Sequence, residues 1–356
     1  MDATSPWLKL LQRTRPHSLR TEKGWSMHQL PFRMTIKGIV IAILLTMLTM
    51  WPAGLAATAP DAFAPEKAGF QVRFKEETSP YRVIGVFVMP GETVSVEALP
   101  SLDYDEYLLT ASAGDTVRTA PNAWRWAAPH EAGLYRLMLR RPSRRDSMTL
   151  NVFVMVPYEE VKGEYLNGYR IGKYPTIPLK QLPIYRPPAG FIEVTPENEG
   201  TLVAPHFSLR QFICKQAGGY PKYLVLKERL LLKLERILEK TNEEGYRADT
   251  FHVMSGYRTP YYNKVIGNVK YSRHLWGGAA DIFVDENPRD GMMDDLNKDG
   301  KIDYRDAAVL YDIVDEMYGK PWYEPFVGGL GWYKRTDSHG PFVHIDVRGL
   351  RARWGD

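Results

Sequence analysis

The chain has 356 residues, of which 44% are hydrophobic and 25% are charged. These values are typical of a folded soluble protein, and the length suffices for two domains. The formal net charge is +4, but residues 1–56 hold seven Lys or Arg and only two Asp or Glu, which leaves 39 basic against 40 acidic residues in the remainder. Because the basic excess is confined to the N-terminal segment, the composition argues against nucleic-acid binding.

Residues 1–56 resemble a targeting segment. An uncharged apolar run, residues 38–60, follows Arg33 and Lys37 and ends in small residues. This pattern predicts a secretory signal peptide that is cleaved after Ala56, so the chain is expected in the periplasm or elsewhere in the cell envelope. The alternative is an uncleaved membrane anchor, because residues 38–60 are long enough to span a bilayer.

Residues 63–160 are predicted to form an all-β domain without catalytic residues. Short runs with alternating apolar and polar residues are separated by turn sequences such as Pro90-Gly91. The runs are residues 71–74, 81–88, 93–98, 106–111, 133–139 and 148–156. Such spacing is typical of an immunoglobulin-like β-sandwich, which we interpret as a spacer or docking domain. Trp124 and Trp126 are predicted to be one core and one surface aromatic residue.

A change of pattern follows. Residues 161–200 are rich in Pro, Tyr and Gly and are predicted to form an extended connector. Ser208 is predicted to cap a short helix through Cys214, the single cysteine, which we expect to be buried. Residues 222–240 carry leucines at four-residue spacing and predict an amphipathic helix packed on a sheet.

Two motifs contain the residue types of a zinc site. His274 and Asp281 lie seven positions apart across a Gly-Gly turn that lets both face one cleft. The strand pattern of residues 342–347 places His344 and Asp346 on one face. Catalytic zinc typically has three protein ligands and an open position for water, whereas structural zinc usually takes four, mostly cysteines. We therefore predict that His274, Asp281 and His344 bind a catalytic zinc ion.

These motifs resemble those of the zinc D-alanyl-D-alanine metallopeptidases, which share their metal site with lysostaphin-type peptidases and the hedgehog signalling domain. The resemblance rests on Ser-x-His-x-x-Gly-x-Ala-x-Asp from Ser272, the late His-x-Asp from His344, and Ser-Gly-Tyr-Arg from Ser255. It covers residues 201–356 and implies an α+β zinc domain. The implied substrates are the stem peptides of bacterial peptidoglycan.

The resemblance also implies a general base, for which His339 is the first choice. Some members of the family have a glutamate three residues before the last histidine ligand, and others have a histidine two residues before it. Here those positions are Pro341 and Phe342. His339 occupies a position where relatives also carry a histidine, and we expect it to act as the base or to stabilise the transition state. Asp346 and Asp337 are the reserve candidates.

Two further residues have implied roles. Arg258 is expected to bind a substrate carboxylate or the developing oxyanion, because guanidinium binds carboxylate through two parallel hydrogen bonds. The alternative is a salt bridge that holds the loop. Asp346, if not the base, is expected to orient a zinc-bound imidazole. One alternative to a D-Ala-D-Ala-type carboxypeptidase or endopeptidase is a non-catalytic cell-wall-binding module. Another is an amidase or endopeptidase that cuts a different wall bond with the same metal chemistry.

A second metal signature lies at residues 295–306. This stretch follows the EF-hand loop, with a glycine at position 6 and an apolar residue at position 8. The predicted ligands are Asp295, Asn297, Asp299, the backbone carbonyl of Lys301, Asp303 and Asp306. Position 12 is aspartate rather than the usual glutamate, a dockerin-like variant. We predict one structural calcium ion, followed by a helix over residues 307–317, and the alternative is an acidic surface turn.

Overall fold

A computed structural model describes residues 62–99 and 105–355 of the chain. The predicted targeting segment, residues 1–56, lies outside the described residues. Among the described residues, no helix has both the length and the apolar character needed to cross a membrane.

The described residues are rich in β-structure and contain few helices. The strands, numbered in chain order, are β1 (Lys67–Phe74), β2 (Glu77–Tyr81), β3 (Val83–Val88), β4 (Thr93–Leu99), β5 (Leu108–Ala111), β6 (Asp115–Ala120), β7 (Ala123–Ala127), β8 (Gly133–Arg141), β9 (Asp146–Val154), β10 (Val156–Pro157), β11 (Tyr165–Leu166), β12 (Tyr169–Arg170), β13 (Gly190–Val194), β14 (Leu202–Ala204), β15 (Phe207–Ser208), β16 (Lys222–Leu224), β17 (His252–Ser255), β18 (Ala279–Phe283), β19 (Gly329–Tyr333), β20 (Phe342–Asp346) and β21 (Ala352–Gly355). The α-helices are α1 (Glu228–Glu243), α2 (Pro260–Val265) and α3 (Tyr304–Asp315).

Two sheets face each other in the N-terminal half. One has the strand order β2-β1-β4-β7-β6 and the other the order β3-β9-β8-β5, in which β3 and β9 are parallel. Side chains of both sheets, including Val94 and Trp126 of the first and Val86 and Val152 of the second, line a small shared apolar cavity. Each run predicted within residues 63–160 contains a strand, and the β6–β7 hairpin was not predicted. That the sandwich is immunoglobulin-like stays a prediction.

The prediction for the two tryptophans of β7 is wrong. Trp124 and Trp126 are both buried, with 5% and 0% of their surface exposed. Residues two positions apart in a strand point to the same face of the sheet. The two-residue spacing therefore predicts that both side chains are buried or both are exposed. In the structure, both enter the space between the sheets.

The predicted helix over residues 222–240 is correct only in part. Lys222–Leu224 is strand β16, which pairs with β13 through Ile192 and Leu224, and the helix begins at Glu228. The leucine spacing extends across this boundary because Leu224 and Leu226 are buried as well, but from an extended segment. Ser208 caps a shorter 3₁₀ helix, Leu209–Phe212, with a capping box formed with Gln211. Cys214 is buried, as predicted.

Helix α1 ties the sandwich to the C-terminal part. Glu239 of α1 accepts a hydrogen bond of 2.6 Å from the buried Tyr81 hydroxyl and pairs with Lys67 at 2.6 Å. At the other end of the helix, Glu228 pairs with Lys75 at 2.7 Å and accepts a hydrogen bond from the backbone amide of Phe87. The described residues accordingly form one compact unit.

The C-terminal sheet has the strand order β17-β18-β20-β19-β21. Only β19 and β21 are parallel in this sheet, and the other neighbours are antiparallel. Because β18 and β20 are central, side chains from their open face meet in the middle of the sheet. The two predicted metal motifs end on these two strands.

Candidate metal centre

One transverse row of the sheet positions two of the predicted ligands. Asp281 of β18 is directly opposite His344 of β20, and Ser255 of β17 is directly opposite Asp281. On the other side of His344 the row continues with Gly331 and Trp354. A Cβ atom on Gly331 would lie 2.1 Å from Nε1 of Trp354. Glycine at this position therefore lets the indole lie across the sheet, with its ring 5.4 Å from that of His344.

A tight turn brings the third predicted ligand to the same place. His274 lies in the 3₁₀ helix Arg273–Trp276, which ends at Gly277 with φ of +61°. A Cβ atom on Gly277 would also lie 2.2 Å from the carbonyl oxygen of Val225. The left-handed backbone and the close approach both require glycine, and together they return the chain directly into β18.

The side chains of His274, Asp281 and His344 converge. Oδ1 of Asp281 is 2.7 Å from Nδ1 of His344 and 3.2 Å from Nε2 of His274, and the two nitrogens are 3.3 Å apart. All three residues are buried. Two imidazole nitrogens and one carboxylate oxygen are ligands that zinc takes in catalytic sites. The donor set therefore fits zinc.

Hydrogen bonds orient both imidazoles with their metal-binding nitrogens inward. Nδ1 of His274 donates to the carbonyl oxygen of Gly256 at 2.6 Å, which leaves Nε2 unprotonated. Nε2 of His344 donates to Oδ2 of Asp346 at 3.3 Å, and Nδ1 faces Oδ1 of Asp281, where a bound metal would take the place of its proton. Such outer partners fix the tautomer and the ring orientation of metal-binding histidines.

Asp346 lies behind His344 and does not line the cleft. It is fully buried and accepts hydrogen bonds from the backbone amide of Gly329 at 2.9 Å and from the guanidinium of Arg348 at 2.5–3.0 Å. Its backbone carbonyl accepts a hydrogen bond of 2.8 Å from Lys233, a buried residue whose pKa is lowered to about 7 by burial. This position favours the orienting role over that of a general base.

The charges of the cluster compensate one another. Burial raises the pKa of Asp281, but the neighbouring imidazoles outweigh burial and hold that pKa well below its usual range. Burial lowers the pKa of His274. For His344, burial also acts to lower the pKa, but the hydrogen bonds to Asp281 and Asp346 prevail and raise it. The carboxylates are therefore ionised, as metal binding requires.

Arg258 is held against the cluster. One of its terminal nitrogens, Nη2, donates to Oδ2 of Asp281 at 2.5 Å, and its Nε donates to Oγ of Ser255 at 2.7 Å. Only 8% of Arg258 is exposed. The salt bridge considered as the alternative is therefore present, and Nη1 takes no part in either of these two contacts.

An open cleft of about 800 Å³ gives access to the cluster. His339 lines this cleft together with the aromatic side chains of Tyr333, Phe342 and Trp354. Nδ1 of His339 donates to the carbonyl oxygen of Gly340 at 2.8 Å, so its Nε2 is left to accept a proton. Asp337, the other reserve base, is exposed and does not line the cleft.

The loop predicted to bind calcium lies apart from this cleft. Asp295 accepts hydrogen bonds from the amides of Asp299 at 3.2 Å and Gly300 at 2.8 Å. The buried Asp306 accepts from the amides of Asn297 at 3.1 Å and Asp303 at 2.8 Å. Lys301 is exposed. The following helix α3 begins at Tyr304 and ends at Asp315, earlier at both ends than the predicted 307–317.

Several residues of the site were not predicted from the sequence. Arg348 follows Asp346 at the spacing of neighbours on one strand face, so a pattern of alternating charged residues could have indicated it. The carbonyl of Gly256 and the side chains of Lys215 and Tyr185, which line or support the cleft, carry no recognisable signal. They reach the site only through the fold.

Comparison with known families agrees with this geometry. Residues 205–304 match the Peptidase M15 family, and the match includes His274 and Asp281 but ends before His344. It covers less than a third of the chain. The resemblance to zinc D-alanyl-D-alanine peptidases is thereby confirmed for the C-terminal domain. The family implies a zinc metallopeptidase that acts on peptidoglycan-like substrates. A comparison with curated proteins found no match.

Proposed function

We propose that this protein is a zinc peptidase that hydrolyses D-Ala-D-Ala-type bonds in the stem peptides of peptidoglycan. The observation that carries this proposal is the convergence of His274, Asp281 and His344 at the floor of an open cleft. Three protein ligands leave a position for water, which is the arrangement of catalytic rather than structural zinc.

The residues around the triad have separate roles in this proposal. Zinc held there supplies a Lewis acid that polarises the scissile carbonyl and acidifies a water molecule. His339 takes up the proton through Nε2 and returns it to the leaving amine. Arg258 uses Nη1 to stabilise the developing oxyanion, while its other contacts hold Asp281 in position.

The hydrolysis of a synthetic peptide that ends in D-Ala-D-Ala tests these roles. We expect the zinc-loaded full-length chain to cleave the peptide and His339→Ala to reduce kcat by about 10²–10⁴, as is usual for loss of a general base. The zinc content of this variant should be unchanged. His130→Ala is the matched control, because His130 is exposed and does not line the cleft.

The second candidate function is a module that binds cell-wall peptide without cleaving it. The observation in its favour is Phe342, which lies buried in the cleft where some relatives have a histidine. A folded, zinc-loaded protein that binds stem peptides and cleaves none would establish this function. Cleavage of a wall amide bond outside D-Ala-D-Ala would instead indicate an amidase or endopeptidase.

For the loop of residues 295–306 we propose one structural calcium ion. Support comes from its oxygen-rich side chains and from Gly300, whose φ of +80° provides the turn at position 6. We expect calcium to raise the Tm of the zinc-loaded protein by several degrees through preferential binding to the folded state. Asp295→Ala should abolish the shift, which thermal unfolding with calcium or magnesium would measure. An equal shift with the variant would contradict the assignment.

We also propose that the chain is exported, on the basis of residues 38–60 and the small residues that precede Ala56. N-terminal sequencing of the protein from the cell envelope would test this proposal. A mature chain that begins after Ala56 supports cleavage, and a membrane-bound chain that retains residues 38–60 supports the anchor. A full-length chain in the cytoplasm would contradict export.

A further inference from the structure

The cleft carries an excess of positive charge. Among its described lining residues, four side chains are cationic and Asp281 alone is a carboxylate. The cationic residues are Lys215, Arg258, Arg273 and Arg348. A cleft lined mainly by one sign of charge favours ligands of the opposite sign. The charge indicates an anionic substrate. The contacts of the four cationic side chains show which of them is available to bind that substrate.

The charges of two arginines are already compensated within the protein. Arg258 pairs with Asp281 at 2.5 Å, and Arg348 pairs with Asp346 at 2.5 Å. Each directs two donor nitrogens to protein acceptors, Arg258 through Nε to Ser255 and Nη2 to Asp281, and Arg348 through Nε and Nη2 to Asp346. Each guanidinium therefore already faces a buried carboxylate that neutralises its charge, so less attraction is left for a substrate carboxylate.

The third arginine is enclosed. Only 3% of Arg273 is exposed, and its guanidinium lies 4.9 Å from the centre of the Tyr185 ring. One terminal nitrogen donates to the carbonyl oxygen of Ile184 at 3.4 Å. Its Nε and Nη2 have no hydrogen-bond partner within the described residues, but both atoms are shielded from solvent. A ligand that enters the cleft does not reach them in this arrangement.

Lys215 differs from the three arginines. It is exposed in the cleft and forms no hydrogen bond or ion pair within the described part of the chain. It lines the cleft together with Arg258 and Asp281. Partial burial and Arg258 lower the pKa of Lys215, whereas Asp281 acts to raise it. Its neighbour Gln216 is buried and bonded to Thr259 at 2.5 Å, so the backbone at Lys215 is held in place.

We propose that Lys215 binds the terminal carboxylate of the peptide substrate and makes the protein a carboxypeptidase. The inference rests on the proposed function. It adds that the protein recognises the free carboxylate of the residue that follows the scissile bond. In this arrangement Arg258 supports Asp281 and the reacting carbonyl, and Lys215 binds the end of the chain. Specificity for a free carboxyl terminus then depends on one exposed ammonium group.

The test compares two forms of one peptide that ends in D-Ala-D-Ala, with a free carboxylate or with a C-terminal amide. The zinc-loaded full-length chain should have a kcat/KM for the acid about tenfold to a hundredfold above that for the amide, the range of a hydrogen bond to a charged group. Lys215→Met should remove this preference by slowing cleavage of the acid alone. Lys215→Arg should keep most of it.

Lys320→Met is the matched control, because Lys320 is exposed and lies outside the cleft. Equal cleavage of the acid and the amide by the unaltered chain, or an undiminished preference in Lys215→Met, would overturn this inference and leave the proposed function intact. Loss of both activities in Lys215→Met would show a general role in the site and would also overturn it. No cleavage of either peptide by the unaltered chain would count against the proposed function itself.

Discussion

His344 lies between two carboxylates that contact opposite sides of its ring. Nδ1 faces Asp281 at 2.7 Å, and Nε2 faces Asp346 at 3.3 Å. When zinc takes the place of the proton on Nδ1, Asp346 accepts the remaining proton from Nε2, and this contact fixes the tautomer and the orientation of the ring. A role for Asp346 in zinc affinity follows from this geometry.

We expect Asp346→Asn to lower the affinity for zinc by about 10–100-fold, the usual effect of removing an outer partner of a metal-binding histidine. Asparagine retains the shape of the side chain but loses the charge that holds the imidazole proton and Arg348. Competition with a chelating dye measures the affinity, and circular dichroism verifies that the variant is folded. Asp337→Asn, an exposed change outside the cleft, should bind zinc normally. Unchanged affinity in folded Asp346→Asn would contradict the assigned role.

At the scale of elements, the turn between the 3₁₀ helix Arg273–Trp276 and β18 positions His274 relative to the sheet. Gly277 combines φ of +61° with a close approach to Val225. Gly267 has φ of +70°, but a Cβ atom added there would meet no atom within 4 Å. The two glycines therefore separate the effect of backbone conformation from that of crowding.

We expect Gly277→Ala to reduce the free energy of unfolding by about 3 kcal/mol or more, and Gly267→Ala by about 1 kcal/mol, because only the first adds a steric overlap to the left-handed strain. Urea unfolding of the zinc-loaded proteins measures both values. Equal effects of the two substitutions would show that the approach to Val225 does not constrain the turn.

A second element-scale feature is the pair of His206, beside the β14–β15 turn, and Glu235 of α1. Nδ1 of His206 is 2.8 Å from the Glu235 carboxylate, which is buried. Burial acts to lower the pKa of His206, but Glu235 outweighs it and raises that pKa above 6.5. A raised histidine pKa means that the charged pair stabilises the fold below pH 6.5 and that this stabilisation is lost as the pH rises through the folded-state pKa.

The difference in unfolding free energy between the unaltered chain and His206→Gln should therefore be larger at about pH 6 than at about pH 8.5. Urea unfolding at the two pH values measures this difference, and His130→Gln is the matched control, because His130 is exposed. A difference that stays constant or grows toward the higher pH would contradict the pairing.

The strand runs of the sandwich and the motifs that contain His274 and His344 could be predicted from the sequence, because local pattern and chemistry coincide there. Prediction failed where the outcome depends on partners distant in the chain. The leucine period ran into β16 because the pairing of Leu224 with Ile192 is a tertiary contact. Lys215 could not be predicted because nothing near it in the sequence indicates that the fold brings it into the same cleft as Arg258.

At the scale of the whole molecule, α1 joins the sandwich to the metal-binding sheet. Glu239 contacts Tyr81 of β2, and Lys233, earlier in the same helix, contacts Asp346 of β20. The helix thus packs on both parts, and the described residues form one compact unit. Loss of structure in the sandwich is expected to release the support of the zinc ligands.

We therefore predict a single cooperative unfolding transition, in which the change in tryptophan fluorescence coincides with the release of zinc. Buried residues such as Trp126 contribute to the fluorescence change. Tyr81→Phe should shift both signals together to lower urea concentration, because it leaves the carboxylate of Glu239 without its buried donor. Two separate transitions, or a shift of the fluorescence signal alone, would show that the sandwich and the metal site unfold independently.

The proposed function depends on one feature, a zinc ion that hydrolyses peptidoglycan and is held by His274, Asp281 and His344. The most direct test is mass spectrometry of purified peptidoglycan after digestion by the full-length chain, with the zinc content measured on the same sample. We predict defined muropeptide products that disappear when zinc is removed and return when it is restored. Unchanged peptidoglycan after incubation with a folded protein that contains one zinc ion per chain would contradict the proposed function.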